Sequence, residues 1–264
     1  MENRAYITVT TNKDYARGAV VLYESLKRVN SIYPLYVVIP ASSQSKDTKD
    51  YLLEHNVLTI ESEIIDDGVM NLGTSHWKET LFKLQVFQLI QFKKIVFLDT
   101  DMIVLNNIDS LMERPNISCV AAGKSLHPEW VDLNSGLMVI EPNKSDYDGL
   151  IKSIDKAFVK RQEQNEGFGD QDVIKYYFKD WKAKSECHLP ETYNCMLGYA
   201  GVMKRRGMIK SIDDINVYHY TGKQKPWRGI KEKIIVMAKA IKRGRSISDI
   251  QAFCRYLKIL KYVK

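Results

Sequence analysis

Two aspartates that follow an apolar run are the residues of this sequence best suited to chemistry. Asp99 and Asp101 come directly after residues 95–98, a run typical of a buried central strand. Because one residue separates them, an extended backbone sends both carboxylates to the same side, where they can reach one hard divalent cation. Ligands of α/β proteins bind at the carboxyl ends of strands, so the pair predicts a cation site there.

This spacing alone is a weak indication. Asp146 and Asp148 share it, as do Asp170 and Asp172, and most such triplets belong to surface loops. The apolar strand in front of Asp99 distinguishes the first pair from the other two, because it places that pair at a sheet edge.

The stretch HYTGKQKPW, which begins at His219, combines residue types that suit a metal-bound polyphosphate. His219 lies in a predicted strand over residues 215–220 and could join the two aspartates on a cation. Gly222 and the neighbouring lysines suit phosphate groups, and Pro226 restrains Lys225 to an extended conformation. A histidine before basic residues more often belongs to a solvated loop, so the prediction depends on the whole combination.

The length and composition fit an ordinary globular protein. With 264 residues, 45% hydrophobic and 27% charged, the chain can bury the core of one large α/β domain, with or without an appendage. The N-terminus passes straight into a strand pattern, and no apolar run approaches the length of a membrane span, so we expect a cytoplasmic protein. Four scattered cysteines indicate neither a zinc site nor a disulfide framework.

Alternating strands and helices predict an α/β sheet. Strand, helix, strand, helix and strand are predicted in turn at residues 6–10, 15–29, 35–39, 45–54 and 57–60. This order predicts parallel strands with right-handed crossovers. The later elements are a helix over residues 78–92 with Lys83 off its apolar face, strands at 118–122 and 137–140, helices at 147–161 and 170–178, a loop at 193–203 and the strand at 215–220.

Two predicted turns could face a ligand. The first follows the initial strand and places Thr11, Asn12 and Tyr15 above the carboxyl edge, where they could meet a nucleotide; a plain helix cap is the simpler explanation. The second, at residues 134–136, offers the Asn134 amide and a glycine that lets the backbone approach a ligand, although a simple turn explains it equally well.

Positive charge is concentrated at the C-terminus. Residues 204–264 contain 17 lysines and arginines against 4 acidic residues, whereas residues 1–203 contain 22 against 28. Apolar residues recur there at helical spacing in two stripes: Ile230, Ile234, Met237 and Ile241, then Ile250, Phe253, Leu257 and Leu260. These basic amphipathic helices could pack on the rest of the chain, form a homodimer, or dock on an anionic membrane. We expect no nucleic-acid partner.

In four stretches the sequence resembles the glycosyltransferases of family 8, the group that includes glycogenin, galactinol synthase and bacterial lipooligosaccharide galactosyltransferases. The stretches are TNKDY at 11–15, FLDTD at 97–101, NSG at 134–136 and HYTGKQKPW at 219–227. The resemblance extends over residues 6–227. It implies a GT-A fold, which is a Rossmann-like nucleotide-binding domain with a mostly parallel central sheet, at residues 1–228, and a basic helical tail at residues 229–264.

The resemblance implies a retaining, metal-dependent transfer of a hexose from a UDP-sugar to an acceptor hydroxyl, which gives an α linkage. Glucose is the first expectation for the hexose and galactose the second. The expected acceptor is a glycan, a lipid-linked sugar or a protein, and the expected cofactor is Mn²⁺, with Mg²⁺ as an alternative. Two other interpretations of the same residues are a nucleotide-sugar-binding protein without turnover and a phosphatase of the haloacid dehalogenase type.

Family roles carry over residue by residue. The resemblance implies that the metal is bound by Asp99, Asp101 and His219. It implies nucleotide contacts from Val9, Thr11, Asn12, Tyr15, Asp99, Thr100, Asp101, Gly222 and Lys225. It implies donor-sugar contacts from Lys83, Asn134, Ser135, Asp170 and Gln171, and catalytic participation of Asp170, Gln171 and Lys225. Gly167 departs from the pattern, since glycogenin has an acidic residue there. Residues 66–76 and 162–169 are the loops expected to meet the acceptor.

Overall fold

A computed structural model describes residues 3–64, 80–123, 127, 129–244, 246–261 and 263. The strands are β1 Arg4–Val9, β2 Leu35–Pro40, β3 Leu58–Ser62, β4 Lys94–Leu98, β5 Met102–Val104, β6 Ser118–Ala122, β7 Asp132–Ile140, β8 His188–Leu189, β9 Cys195–Met196 and β10 Val217–His219. The α-helices are α1 Lys13–Arg28, α2 Lys46–Glu54, α3 Lys144–Glu163, α4 Asp170–Tyr177, α5 Ala200–Arg205, α6 Ile230–Gly244 and α7 Ile247–Leu260.

The larger of two sheets has the strand order β3-β2-β1-β4-β7-β6-β8, which places β4 in its middle. β3, β2, β1 and β4 are parallel neighbours, as the alternation of strands and helices predicts. β7 is antiparallel to both β4 and β6, so among the described strands of this sheet it runs opposite to the other six. The prediction of an α/β fold with a mostly parallel central sheet is confirmed.

The apolar run before the aspartate pair is buried, as predicted. Ile95, Val96, Phe97 and Leu98 are all fully inaccessible to solvent. Ile95 and Phe97 pack in one core cluster with α3 and α4, whereas Val96 and Leu98 pack in another with α1. Because consecutive side chains of a strand point to opposite faces, β4 has cover on both sides, and Asp99 is the first residue to leave it.

Residues 134–136 lie inside β7, so the turn predicted there is wrong. β7 pairs regularly with β4, but its pairing with β6 skips residues 135–137. Such a bulge displaces backbone and side chains from the regular ladder and is common beside functional sites. It places Asn134 and Ser135 next to the end of β4, the strand that leads to the aspartate pair.

The helix predicted over residues 78–92 is a 3₁₀ helix, Phe82–Gln88, within the part of it that the structure describes. Lys83 was predicted to lie off the apolar face but is buried, at 7% exposure, and Ile90 was predicted to face the sheet but is 68% exposed. Every residue from Phe82 to Phe87 is buried, so this helix has no exposed face for Lys83, and Ile90 lies beyond the end of the helix at Gln88.

The strand predicted at residues 215–220 is β10, and it belongs to a second, smaller sheet. This sheet has the order β5-β10-β9, with β10 antiparallel to β5 and parallel to β9. Residues 193–203, predicted as a loop, contribute β9 and α5, so that prediction is wrong. β5 begins directly after the aspartate pair. Since β10 pairs with β5, the end of β10 lies next to Asp99 and Asp101.

The two predicted C-terminal helices are present as α6 and α7. α7 buries Phe253 and Tyr256 in a core cluster shared with α5 and β10, to which α6 adds Val236 and Ala240. The stripe of α7 therefore packs on the protein. Three members of the predicted stripe of α6 are instead exposed: Ile230, Ile234 and Ile241. Among the described residues, no helix is both long enough and apolar enough to cross a bilayer.

Candidate functional site

Three potential metal ligands meet where β4 and β10 end. Asp99 and Asp101 follow β4, and His219 is the last residue of β10, paired opposite Met102 of β5. The Tyr220 N–H donates to the Asp101 carbonyl over 2.8 Å, which holds the two segments together. Nε2 of His219 lies 3.0 Å from a carboxylate oxygen of Asp101 and 3.8 Å from one of Asp99. The structure therefore brings together the three residues predicted as ligands, with one ligand atom of each within 4.8 Å of the others.

The charges around these residues suit a cation. Burial by itself raises the pKa of Asp101, but His219 and Lys225 outweigh it and hold the pKa well below its ordinary value. Burial raises the pKa of Asp99, and Lys83 and His219 offset this rise only in part. Nζ of Lys225 donates to the Asp101 carboxylate. Two carboxylates and one imidazole at these separations form a donor set that Mn²⁺ or Mg²⁺ accepts.

Lys83 links the metal ligands to a second polar group. Its Nζ lies 2.9 Å from Asp99 and 2.8 Å from Asp170. The Ser135 hydroxyl donates to Asp170 over 2.7 Å, and the Ser135 N–H donates to Oε1 of Gln171 over 3.1 Å. Burial lowers the pKa of Lys83, but the two carboxylates outweigh it and raise that pKa above its ordinary value. Four of the residues predicted at the donor sugar thus form one polar group that Lys83 connects to Asp99.

The segment before α4 positions the first two residues of that helix, Asp170 and Gln171. The Gly169 N–H donates to Asp172 over 2.9 Å, which starts the helix at Asp170. Gly167, the position that departs from the family pattern, is exposed, and a Cβ there would meet nothing within 4 Å. Of the two predicted acceptor loops, residues 66–76 lie outside the described residues, and residues 162 and 163 belong to α3.

The residues predicted at the nucleotide lie at the end of β1 and at the start of α1. Val9 ends β1, and Asn12 caps α1 by accepting the N–H of Tyr15 over 3.1 Å. The plain helix cap is therefore present. The amide nitrogen of Asn12 lies 3.4 Å from the Thr11 hydroxyl and takes no part in the cap, which the amide oxygen makes. Thr100, between the two aspartates, is buried.

Trp227 attaches the stretch after β10 to α1. Its ring meets the Tyr15 ring edge to face with 5.7 Å between centroids, and its Nε1 donates to Asp14 over 3.2 Å. Nζ of Lys225 lies 5.9 Å from the centroid of the Tyr15 ring. Gly222 has φ of +104°, a left-handed conformation that favours glycine. Lys225 therefore lies near the Tyr15 ring of α1 and in contact with Asp101, two of the residues predicted at the nucleotide.

Two side chains of the site were missed by the sequence analysis. Asn194 is buried between His219 and Asn134; it accepts from Nδ1 of His219 over 2.8 Å and donates to Oδ1 of Asn134 over 2.6 Å. Asp14 accepts from Trp227. Asn194 stands in a segment without periodicity that was predicted as a loop, so nothing local indicated it. Asp14 belongs to the stretch TNKDY, which was interpreted as a turn and a helix cap, with no role given to its carboxylate.

This fold and this site define a class of protein, the GT-A type of glycosyltransferase. The structure superposes on the galactosyltransferase LgtC in complex with donor and acceptor sugar analogs, with a TM-score of 0.61 at 17% identity over 90% of this chain and 95% of that chain. The glycosyltransferase GlyE of Streptococcus pneumoniae TIGR4 gives a TM-score of 0.59 at 19% identity, over 100% of this chain and 65% of that chain. At these identities the likeness concerns the fold.

The sequence comparisons give the family. The profile of Glycosyl transferase family 8 matches residues 6–231. Mouse glycogenin-1 is 32% identical over 242 residues, 86% of this chain and 66% of that protein. Galactinol synthase 1 of Solanum lycopersicum is 28% identical over 248 residues, 85% of this chain and 74% of that protein. The chain belongs to glycosyltransferase family 8. Its match spans about two thirds of mouse glycogenin-1 and 51% of glycogenin-1 of Caenorhabditis elegans.

Proposed function

We propose that this protein transfers a hexose from a UDP-sugar to an acceptor hydroxyl, in a metal-dependent reaction that retains the anomeric configuration and gives an α linkage. Glucose is the first candidate for the hexose and galactose the second. One observation carries the proposal: the metal-ligand set of Asp99, Asp101 and His219 is continuous, through Lys83, with the polar group around Asp170.

The ligand set fits Mn²⁺, with Mg²⁺ as the second candidate, and both ions would be held by Asp99, Asp101 and His219. When bound, the cation neutralises charge that develops on the departing diphosphate. Lys225 supplies a further positive charge from the chain itself. Its contact with Asp101 supports a role for Lys225 at the diphosphate, next to the metal ligands.

The uridine side of the proposal depends on Tyr15 and its surroundings. An aromatic ring offers a face on which a base can stack, and Trp227 braces this ring from the side. Asn12 can donate through its amide nitrogen while its oxygen caps α1. Gly222 and Lys225 then contact the diphosphate between the base and the sugar.

The sugar side depends on Asp170 and Gln171. Asp170 already accepts from Lys83 and Ser135, so it suits a sugar hydroxyl better than the role of a base. The Gln171 amide is held by the Ser135 N–H and acts as an oriented dipole, since an amide is a poor covalent nucleophile. The acceptor oxygen bonds to the anomeric carbon on the face from which UDP departs, the bond to the phosphate oxygen breaks, and that oxygen takes the acceptor's proton.

UDP release from a panel of UDP-sugars, with and without Mn²⁺, tests the proposal. We expect Asp101→Asn and His219→Ala each to lower hydrolysis of the preferred UDP-sugar at least about tenfold, as should a chelator. Asp148→Asn is the matched control, because it changes an aspartate of the same spacing that lies partly exposed on α3 and pairs with Lys144. Full activity of Asp101→Asn or His219→Ala, or of the wild type in chelator, would contradict the assignment of these residues as metal ligands.

We also propose that α6 holds the protein, as a peripheral protein of the cytoplasm, to an anionic membrane that carries a lipid-linked acceptor. Ile230 and Ile234 are 77% and 56% exposed, and the same helix carries basic residues: Lys231, Lys233, Lys239, Lys242 and Arg243. A basic residue near anionic lipid contributes about 1 kcal/mol to such binding. α6 follows the predicted diphosphate stretch directly, so docking would bring the site close to the lipid head groups.

Sedimentation with vesicles that contain anionic lipid, at low salt, tests the membrane proposal. We expect the wild type and an Ile90→Glu control to bind and the Ile230→Glu/Ile234→Glu variant not to bind, with hydrolysis of soluble UDP-sugar unchanged in all three. Ile90 is 68% exposed and lies far from α6 in the sequence. Wild-type protein that stays in the supernatant would overturn the proposal, and a homodimer that the double variant disrupts would assign the stripe to a subunit interface.

A further inference from the structure

Asn194 joins the metal side of the site to the sugar side through hydrogen bonds that run in one direction. The direction is set by the backbone, because the Gly136 N–H can only donate, and it donates to Oδ1 of Asn134 over 2.9 Å. The same oxygen lies 2.6 Å from the side-chain nitrogen of Asn194, which must be the NH₂ group. Oδ1 of Asn194 therefore faces Nδ1 of His219 at 2.8 Å, and Nδ1 must carry the proton.

The proton on Nδ1 leaves Nε2 as the atom with which His219 can bind a metal. Nε2 is also the atom that faces Asp101 and Asp99, at 3.0 Å and 3.8 Å. Metal-binding histidines commonly donate their other ring N–H to such a partner, which fixes the tautomer and the orientation of the ring. Asn194 is well suited to this role because it is 4% exposed and bonded at both ends of its amide.

At the other end of this series of hydrogen bonds, the orientation of the Asn134 amide is fixed. With its oxygen committed to Gly136 and Asn194, Asn134 has only its NH₂ group left for a ligand, and no partner of that nitrogen is recorded among the described residues. An NH₂ group recognises the oxygen of a sugar hydroxyl. Gly136 makes room for the arrangement, since a Cβ there would lie 3.0 Å from Oδ1 of Asn134 and 3.1 Å from Nδ2 of Asn194.

We propose that Asn194 is a positioning residue that sets both the metal-binding tautomer of His219 and the amide orientation with which Asn134 meets the donor sugar. The sugar half of this inference rests on the proposed function, whereas the metal half does not. The two halves make different demands on residue 194, because His219 needs an acceptor there and Asn134 needs a donor.

Asn194→Asp and Asn194→Leu separate the two demands. Aspartate keeps the acceptor for His219 and loses the donor for Asn134, so we expect Mn²⁺ affinity within about threefold of the wild type, but a loss of about tenfold or more in the preference for UDP-sugar over UDP. Leucine loses both, and Mn²⁺ affinity should fall by about 10- to 100-fold, the range seen for such partners. Asn216→Asp is the control, since the side-chain NH₂ of Asn216 donates to the Thr192 hydroxyl at 3.3 Å, away from His219 and Asn134 among the described contacts.

Mn²⁺ binding is measured by electron paramagnetic resonance of the free ion, and UDP and UDP-glucose binding by calorimetry, on variants with native circular dichroism. The proposal is overturned if Asn194→Asp loses Mn²⁺ affinity as severely as preference for the sugar, or if it changes neither; this variant decides the question even if the leucine variant does not fold. Failure of the proposed function gives a different result: wild-type protein that binds neither UDP nor UDP-sugar, while the Mn²⁺ titrations still test the His219 half.

Discussion

Nζ of Lys83 lies 2.8 Å from a carboxylate oxygen of Asp170, in a place where both side chains are about nine-tenths buried. The same ammonium is 2.9 Å from Asp99, so one lysine is shared by two carboxylates that arrive from different elements. Removal of one member of a buried ionic group leaves the others without compensation, which is far more destabilising than the loss of an exposed pair. The contact between Lys83 and Asp170 should therefore stabilise the folded protein as well as shape the proposed sugar site.

We predict that Lys83→Met lowers the free energy of unfolding by about 3–5 kcal/mol. Lys182→Met is the matched control, because Lys182 is 66% exposed and lies 3.4 Å from Asp132, and its loss should change the free energy by less than about 1 kcal/mol. Urea unfolding of the three proteins at neutral pH measures both effects. Equal changes in the two variants would show that Lys83 is not held as the structure indicates.

The product linkage should be α. The carboxylate of Asp170 is engaged by Lys83 and Ser135, so it is poorly placed to serve as the base that an inverting reaction requires. Proton NMR of the first glycoside formed from a UDP-hexose measures the anomeric coupling. A β coupling would contradict the proposed mechanism and leave the fold unaffected.

α7 should be essential for folding, because it holds the strand that carries His219. The Tyr220 hydroxyl donates to the Ala252 carbonyl over 3.0 Å, and the Tyr218 hydroxyl donates to Asp249 over 2.9 Å. We predict that Phe253→Ala, at a site 3% exposed, lowers the free energy of unfolding by about 3–5 kcal/mol.

The matched substitution on α6 is Ile234→Ala, at a site 56% exposed, which should change the free energy of unfolding by less than about 0.5 kcal/mol. Chemical denaturation compares the two helices.

A truncated chain that ends at Trp227 should be insoluble, since it uncovers Tyr218 and Tyr220. A soluble, active truncation would show that α7 is an independent appendage.

The contribution of Asp109 to stability should depend on pH. Burial tends to raise the pKa of Asp109, but hydrogen bonds from Ser31 and Tyr6 outweigh it and lower the pKa below its ordinary value of 3.8. A carboxylate with a depressed pKa stabilises the folded state above that ordinary value, and this stabilisation is lost as the pH falls through the folded-state pKa.

Asp109→Asn should therefore lower the free energy of unfolding by about 1–3 kcal/mol at pH 7, and by less at about pH 3. Urea unfolding of the wild type and of Asp109→Asn at these two pH values measures the difference in their free energies of unfolding. Asp148→Asn, at a partly exposed site on α3, is the control and should show little change at either pH. A difference between wild type and Asp109→Asn that does not shrink in acid would contradict this account of Asp109.

The site was partly predictable because some of its signals are local. An apolar run of four residues is enough to identify β4 as a buried strand, and the asparagine before α1 is enough to indicate a cap. The meeting of Asp99, Asp101 and His219 followed from the ends of strands and from the resemblance to the family. None of these inferences required knowledge of which segment packs beside which.

Only the tertiary structure decided the surroundings of Lys83, the bulge in β7 and the place of Asn194. Each depends on a partner from a distant part of the chain: Lys83 is buried because Asp99 and Asp170 come to it, and Asn194 bridges His219 and Asn134. Polar residues carry no periodic pattern that identifies such a partner.

The two C-terminal helices show the same division between sequence and structure. Their apolar spacing determined that both would form as amphipathic helices, because helical periodicity depends on residues three and four positions apart. It did not determine what would cover each stripe. α7 lies against β10 and buries Phe253, whereas Ile230 and Ile234 of α6 meet none of the described core, because burial depends on the neighbour that the fold supplies.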